Sequence, residues 1–253
     1  SQKMDPLAKL LRPKKLEEVF GQEHLLAHQQ ALLQKGSFIL WGPPGCGKTT
    51  IARIIGEQSG IRFFAISAVY DGVAELRKVF RQAEEVSLLT SKSILFVDEI
   101  HRFNRGQQDA LLSAIEEGLL RLIGATTENP SFSLNAALLS RTQVLTLKPL
   151  DEDALESLLK RAADHTKRPL PLEATAREKL LQLADGDGRY LLNLAEILYD
   201  QPEATKLNTD QMLELVRHRA PQYDRPGDQH YNLISALHKS LRASDCDAAL
   251  YWR

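Results

Sequence analysis

The sequence predicts an α/β fold with a parallel sheet in its first part and an all-helical second part. Three observations predict it. Short apolar runs alternate with segments of helical period between residues 37 and 148, a Gly-x-x-x-x-Gly-Lys-Thr loop directly follows the first of those runs, and the strand signal stops after Pro149.

Residues 37–41 (SFILW), 62–66 (RFFAI), 93–97 (SILFV), 120–125 (LRLIGA) and 143–147 (QVLTL) are each of strand length and rich in Phe, Ile, Leu and Val. Between them Val73, Leu76, Phe80 and Ala83 recur at spacings of three and four, as do Leu111, Leu112 and Ile115, so each stretch buries one stripe against a sheet. Strands alternating with helices imply a parallel sheet covered on both faces. Behind Pro149, Asp151 is placed to cap a helix carrying Ala154, Leu155, Leu158, Leu159 and Ala162. A second helix carries Leu180, Leu181 and Ala184. The Gly-rich turn 185–188 separates it from a third, with Leu191, Leu194, Ala195 and Leu198. A fourth, near Met212 and Val216, ends before Pro221. Residues 220–229 (APQYDRPGDQ) read as a linker, and Leu233, Leu237 and Leu241 begin a further helical piece. The expected units are 1–148, 149–221 and 222–253. Ser1 and the uncapped, helix-like 247–253 (DAALYWR) read as cut ends, with Tyr251 and Trp252 on a face whose packing partner lies beyond Arg253.

With 253 residues, 43% hydrophobic and 26% charged, the chain has the profile of a globular protein and not of a disordered or collagen-like one. Two cysteines, Cys46 and Cys246, make no disulfide framework and point to a reducing, cytoplasmic compartment. No apolar run reaches the roughly 18 residues of a membrane helix. The 32 basic and 33 acidic side chains give a net charge of −1, which argues against a uniformly basic nucleic-acid binder and leaves local patches open.

The stretch Gly42, Pro43, Pro44, Gly45, Cys46, Gly47, Lys48, Thr49 matches the phosphate-loop pattern in every position, and Thr50 continues into a helix-like segment. Its glycines let successive N–H groups turn toward a phosphate, and the helix starting near Lys48 adds the positive end of its dipole. In that pattern Lys48 reaches the β and γ phosphates of ATP and the Thr49 hydroxyl ligates Mg²⁺. Residues 93–97 then run into Asp98 and Glu99. Acids at the carboxyl end of a buried parallel strand sit where α/β sheets place ligands. Asp98 is expected to hold the Mg²⁺ water shell and Glu99 to orient or deprotonate the attacking water. Two acids closing a strand also occur as a solvated turn, a reading that weakens behind a phosphate loop.

The phosphate loop, residues 98–118 (DEIHRFNRGQQDALLSAIEEG) and 124–141 (GATTENPSFSLNAALLSR) together resemble the replication-associated recombination protein A family, whose eukaryotic relative is the Werner-helicase-interacting ATPase. These are AAA+ ATPases of the clamp-loader clade, with the Holliday-junction motor RuvB a more distant relative. The resemblance extends over the opening LAKLLRPKKLEEVFGQEHLL and the late YNLISALHKSLRASDCDAALYW. It implies a RecA-like AAA+ nucleotide-binding domain over 1–148, a helical lid over 149–221, and the start of an oligomerising helical domain over 222–253. By the same resemblance Arg12, Pro13, Val19, Gly21 and Gln22 border the adenine. Thr127, with Thr126 as the adjacent candidate, is the sensor-1 residue near the γ-phosphate. Arg141 is the arginine finger that enters a neighbouring subunit's site, Arg189 is the sensor-2 arginine of the lid, and Ser67 stands where relatives keep a polar partner for the catalytic Glu. Implied at the level of the whole protein are DNA-stimulated ATP hydrolysis at stalled or damaged replication forks, forks, duplex ends or gaps as DNA, single-strand-binding protein as a partner, and a homo-oligomer, usually a tetramer.

Other features carry less. His24 and His28 have zinc-helix spacing, but Leu25 stands where the metalloprotease pattern needs Glu, so packing or surface histidines are expected. Cys46 lies beside cations that would lower its pKa, although a tolerated small residue is the stronger reading than a redox switch. Lys9, Arg12, Lys14 and Lys15, with Arg102 and Arg105, are either solvated charges or contacts to DNA phosphates. With no base-reading motif present, DNA contacts are expected to be to backbone or structure. The competing functions are a clamp-loader subunit of a hetero-oligomer, a RuvB-like motor, which needs a winged-helix domain after the lid, and an ATP-gated scaffold with little hydrolysis. Intact Lys48, Asp98, Glu99, Thr127, Arg141 and Arg189 count against the scaffold.

Overall fold

The computed structural model describes residues 6–27, 29–88, 92–202 and 206–219. The expected linker, the segment after it, His28 and Cys246 lie outside those residues. The elements run α1 (Leu7–Leu10), α2 (Glu23–Leu26), α3 (Gln30–Lys35), β1 (Phe38–Trp41), α4 (Lys48–Ser59), β2 (Phe63–Ser67), α5 (Val73–Ser87), β3 (Ser93–Asp98), α6 (Arg105–Glu116), β4 (Leu120–Thr126), α7 (Pro130–Ser133), α8 (Ala136–Ser140) and β5 (Gln143–Thr146). Then come α9 (Glu152–Thr166), α10 (Ala174–Ala184), α11 (Gly188–Tyr199) and α12 (Thr209–Arg219).

The strands form one sheet in the order β2-β3-β4-β1-β5, and every pairing is parallel. Side chains alternate between its faces, and the apolar runs of the inner strands β3, β4 and β1 are continuous because both faces are covered there, whereas the edge strand β5 buries only Leu145. Phe38, Leu40, Ile94, Phe96, Ile123 and Ala125 pack with Ile51, Ile54 and Ile55 of α4 on one face. Ile39, Leu95, Val97 and Leu122 pack with Leu76, Val79 and Ala83 of α5 and Leu111 and Ala114 of α6 on the other. The buried stripe of α5 differs by one position from the expected one. Val79 is buried whereas Val73, the first residue of α5, is 45% exposed. An Asn104–Gln107 capping box starts α6, and Asp151 caps α9 by accepting from the Ala154 N–H at 2.8 Å.

The second core unites α9 to α12 through Leu155, Leu159, Leu180, Leu191, Leu194, Leu198 and Met212. Leu7 and Leu11 belong to it as well, and the Leu7 N–H donates to Glu196 of α11 at 3.2 Å. The opening helix therefore packs on the helical second core and not on the sheet, so that core draws residues from both sides of position 148. Amphipathic spacing says that a face is buried, not against what.

At the end of β4 remote from the phosphate loop, Arg121 is buried and donates to the carbonyls of Leu33 (3.0 Å), Gln34 (2.7 Å) and Gly36 (3.0 Å), closing the exposed end of α3. Gly124, in the middle of the sheet, has no room for a side chain, since a Cβ there would lie 2.7 Å from Ile39 Cδ1 and 3.0 Å from Ile100 Cδ1. Gly124→Val is expected to destabilise the chain by about 1–3 kcal/mol through overpacking, read as a lower urea midpoint.

Candidate active site

Parallel pairing of Trp41 with Thr126 brings the carboxyl ends of β1 and β4 level, and the Gly42 N–H donates to the Thr126 carbonyl at 3.1 Å. From there the phosphate loop turns into α4. Gly45 (φ +69°) and Gly47 (φ +113°) take left-handed conformations that other residues rarely adopt. The Lys48 ammonium donates to the carbonyls of Gly42 and Pro43, the latter at 2.9 Å, so the buried cation is hydrogen-bonded within its own loop. Cys46 is buried within the loop. Burial raises its thiol pKa, outweighing the neighbouring Lys48, which corrects the expectation of a lowered pKa and speaks against a reactive thiolate.

Asp98 closes β3, and its Oδ1 accepts from the Glu99 N–H at 3.0 Å. Glu99 sits in a left-handed conformation (φ 54°), uncommon for a residue with a side chain, at the step from the strand into the turn Ile100–Arg102. Both carboxylates are buried at the end of the sheet. Glu99 Oε2 lies 3.3 Å from Nε2 of His101, a residue without a role in the sequence reading. Ser67 pairs with Asp98 across β2 and β3, and its Oγ accepts from the Val69 N–H at 3.2 Å. Thr126, which closes β4, and Thr127, which follows it, separate cleanly. Thr126 is fully buried with its hydroxyl 2.7 Å from His101 Nδ1, whereas Thr127 is half-buried and faces the cavity over the phosphate loop.

That cavity gathers Pro44 to Thr50 of the loop and first turn, Asp98, Glu99, Thr127, the opening-segment residues Arg12, Pro13 and Val19, and Arg189 of the lid. Its apolar walls are Leu11, Phe20, Leu158 and Leu192, none of which carried a motif. Gly21 and Gln22 stand behind the residues that line it. A Cβ on Gly21 would meet Leu150, and the fully buried Gln22 side chain donates to the carbonyls of Cys46 (3.0 Å) and Lys148 (2.8 Å) and accepts from the Lys148 N–H (3.0 Å). Gln22 thus ties the phosphate loop to the start of the lid. Gly42 and Pro43 also lie outside the lining and act through their carbonyls on Lys48.

The lid meets the loop directly. The Gly188 N–H donates to the Gly45 carbonyl at 3.0 Å, and Asp187, capping α11 through the Tyr190 N–H at 3.0 Å, packs its carboxylate against the hydrogen side of Gly45. An Asp before Gly at a helix start signals a cap, but not that the cap rests on a phosphate loop. Arg161 of α9 lies 4.3 Å over the Phe20 ring and donates to the Glu18 carbonyl at 2.9 Å, holding the opening segment against the lid. Burial lowers its pKa. Arg141 stands apart from the cavity, exposed after α8, with Nε 3.5 Å from Glu116 Oε1. Lys14, Lys15, Arg102 and Arg105 are exposed. His24 is an exposed histidine 3.4 Å from the Thr146 carbonyl, and no metal-holding cluster of His, Cys, Asp and Glu occurs among the described residues.

Thr49 and Asp98 supply hard oxygen donors on the same cavity as the ammonium of Lys48 and the cradle kept open by Gly45 and Gly47. This set fits a triphosphate with Mg²⁺.

The chain matches the ATPase family associated with various cellular activities (AAA) over residues 38–150 and the AAA C-terminal domain over 166–242. It is 45% identical to the replication-associated recombination protein A of Haemophilus influenzae and 47% identical to that of Coxiella burnetii, each alignment covering 98% of this chain and 59% of the relative. The chain belongs to the replication-associated recombination protein A family. It spans about three fifths of the length of those relatives. The RuvB Holliday junction branch migration motor of Thermotoga maritima shares the fold, with a TM-score of 0.65 and 30% identity over 82% of this chain and 72% of that one. Within the AAA family the lid contact at Gly45 is a sharp test of the site. Gly45→Ala puts a Cβ into the Asp187 carboxylate on a left-handed backbone. It is expected to cost about 1–3 kcal/mol in urea unfolding and to weaken fluorescent ADP binding about tenfold or more.

Proposed function

We propose that this chain is the ATPase part of a DNA-stimulated, Mg²⁺-dependent motor that acts at stalled or damaged replication forks in replication-associated recombination and repair. The observation that carries the catalytic reading is the convergence, on one cavity, of the phosphate loop, Asp98, Glu99, Thr127 and Arg189 from positions spread over more than half of the chain. The process is supported by the names of the relatives at 45–47% identity.

ATP seats its phosphates on the N–H groups of the loop and at the start of α4, and its base against the apolar wall of Val19, Leu11 and Leu192. Lys48 leaves the Gly42 and Pro43 carbonyls for the β and γ phosphates. Thr49, and Asp98 through water, would hold Mg²⁺, which would supply positive charge against the phosphate oxygens. Glu99 takes the proton of the attacking water, Thr127 holds that water near the γ-phosphate, and the bond to ADP breaks to release phosphate. Arg189 stabilises the charge that spreads onto the departing oxygens from the lid side, and Arg141 does so from a neighbouring copy. The exposure of Arg141 and its weak surface ion pair with Glu116 support a role in trans, since such a pair is worth about 1 kcal/mol or less and releases the arginine readily.

The full assembly is a homo-oligomer, a tetramer by resemblance, with single-strand-binding protein as partner and DNA contacts to backbone at forks, duplex ends or gaps. No helix among the described residues is long and apolar enough to cross a membrane, and the bacterial recombination relatives support a cytoplasmic, nucleoid-associated location.

Phosphate release with and without forked DNA tests this reading. Glu99→Gln is expected to keep ATP binding and lose about 10²–10⁴ in turnover, and Lys48→Ala to lose binding. Arg141→Ala is expected to bind ATP normally and to lose about 10³ or more in turnover, with activity restored by mixing it with Lys48→Ala chains that contribute the missing finger. Phosphate release that is absent from the wild type, and identical in Glu99→Gln, would instead mark the ATP-gated scaffold.

A further inference from the structure

Glu99 has a long side chain on a strained backbone position, and a base must be held within hydrogen-bond reach of the proton it removes. His101 provides a hold. Its side chain is 6% exposed, with Nε2 3.3 Å from Glu99 Oε2 and Nδ1 2.7 Å from Thr126 Oγ1. The Thr126 hydroxyl is itself set by the next turn, accepting from the Glu128 N–H at 3.0 Å and lying 3.2 Å from the Glu128 carbonyl. The Glu128 carboxylate lies 3.8 Å from Nε2.

A neutral imidazole carries one N–H, and its neighbours decide which nitrogen holds it. The Glu99 carboxylate only accepts, so Nε2 is the donor. Nδ1 is then the acceptor, and the Thr126 hydroxyl gives it a proton at a shorter distance than it has to the Glu128 carbonyl. The opposite tautomer sets a lone pair against a carboxylate. Burial lowers the His101 pKa, in keeping with the neutral ring.

We propose that His101 is the positioning residue for Glu99, with Thr126 fixing its tautomer, so that the end of β4 and the turn it enters set where the base points. The inference rests on the reading of Glu99 as the base. Its consequence is a link inside one site. Thr127 faces the cavity and Thr126 faces His101, so a shift of this turn on meeting the γ-phosphate also moves the hold on Glu99.

The test uses His101→Ala, His101→Gln, Thr126→Val, the His101→Ala/Thr126→Val double variant and Glu99→Gln in the 253-residue chain, read by phosphate release and fluorescent ADP binding. His101→Ala is expected to lower kcat about tenfold to a hundredfold with KM and ADP affinity within about twofold of wild type. Thr126→Val lowers kcat in the same way, and the double variant is no worse than His101→Ala because the two act through one path. His101→Gln, whose amide N–H falls near the Nε2 position, recovers part of kcat and guards against a folding failure of the alanine variant. Wild-type kcat in His101→Ala beside an inactive Glu99→Gln overturns the inference alone. Parallel losses of kcat, ADP affinity and thermal stability in both His101 variants overturn it in favour of a packing role. Full turnover in Glu99→Gln overturns the assignment of the base and the inference with it.

Discussion

Parallel pairing leaves little freedom in where β3, β4 and β1 end, and the site is built on that constraint. Val97 pairs with Gly124 and Trp41 with Thr126, so the strand that delivers the acids, the strand that delivers the threonines and the strand that delivers the phosphate loop finish along one edge of the sheet. Each strand is buried on both faces, and its only outlet for polar side chains is its end. A slip of one residue in β4 would turn Ile123 and Ala125 to the opposite core and carry Thr126 away from His101. Arg121 at one end and the Gly42–Thr126 hydrogen bond at the other oppose such a slip.

The same edge concentrates charge that is expensive to bury. Lys48, Asp98 and Glu99 are each at most 9% exposed, and each is met by a donor or acceptor from the scaffold. The scaffold partners of Lys48 are backbone carbonyls, which hold a cation without neutralising it. Hydrogen bonds from a cation to an anion are stronger than those to neutral carbonyls, so the loop leaves Lys48 able to take an anionic partner.

Much of this was legible in advance, and the boundary of legibility is physical. Apolar runs disclosed every strand to within about two residues. The central strands β3 and β4 are buried on both faces and leave an unbroken signature, whereas the edge strand β5, with only Leu145 buried, was legible from its β-branched and apolar residues alone. The loop at Gly42–Thr49 and the acids at 98 and 99 carry their chemistry in local spacing. Gln22, His101, Arg161 and Asp187 do not. Each works through a contact with a segment far along the chain or through a ring nitrogen whose partner is chosen by folding, and no local pattern encodes either. The opening helix illustrates the same limit. Leu7 and Leu11 are buried, yet the core that receives them lies about 150 residues away along the chain, which no local pattern discloses.

That placement has a mechanical consequence. The chain begins against the lid, crosses to the sheet through the segment of Arg12 to Val19, and returns through Lys148 to Leu150, so two covalent crossings join the two cores. A body attached by a single strand can swing and twist in every direction, whereas one attached at two points keeps chiefly the rotation about the line between them. The cavity is walled by both crossings, with Arg12, Pro13 and Val19 from one and Leu150 from the other. Both connections thus border the cavity, and the residues that join the two cores are the same ones that wall the space over the phosphate loop.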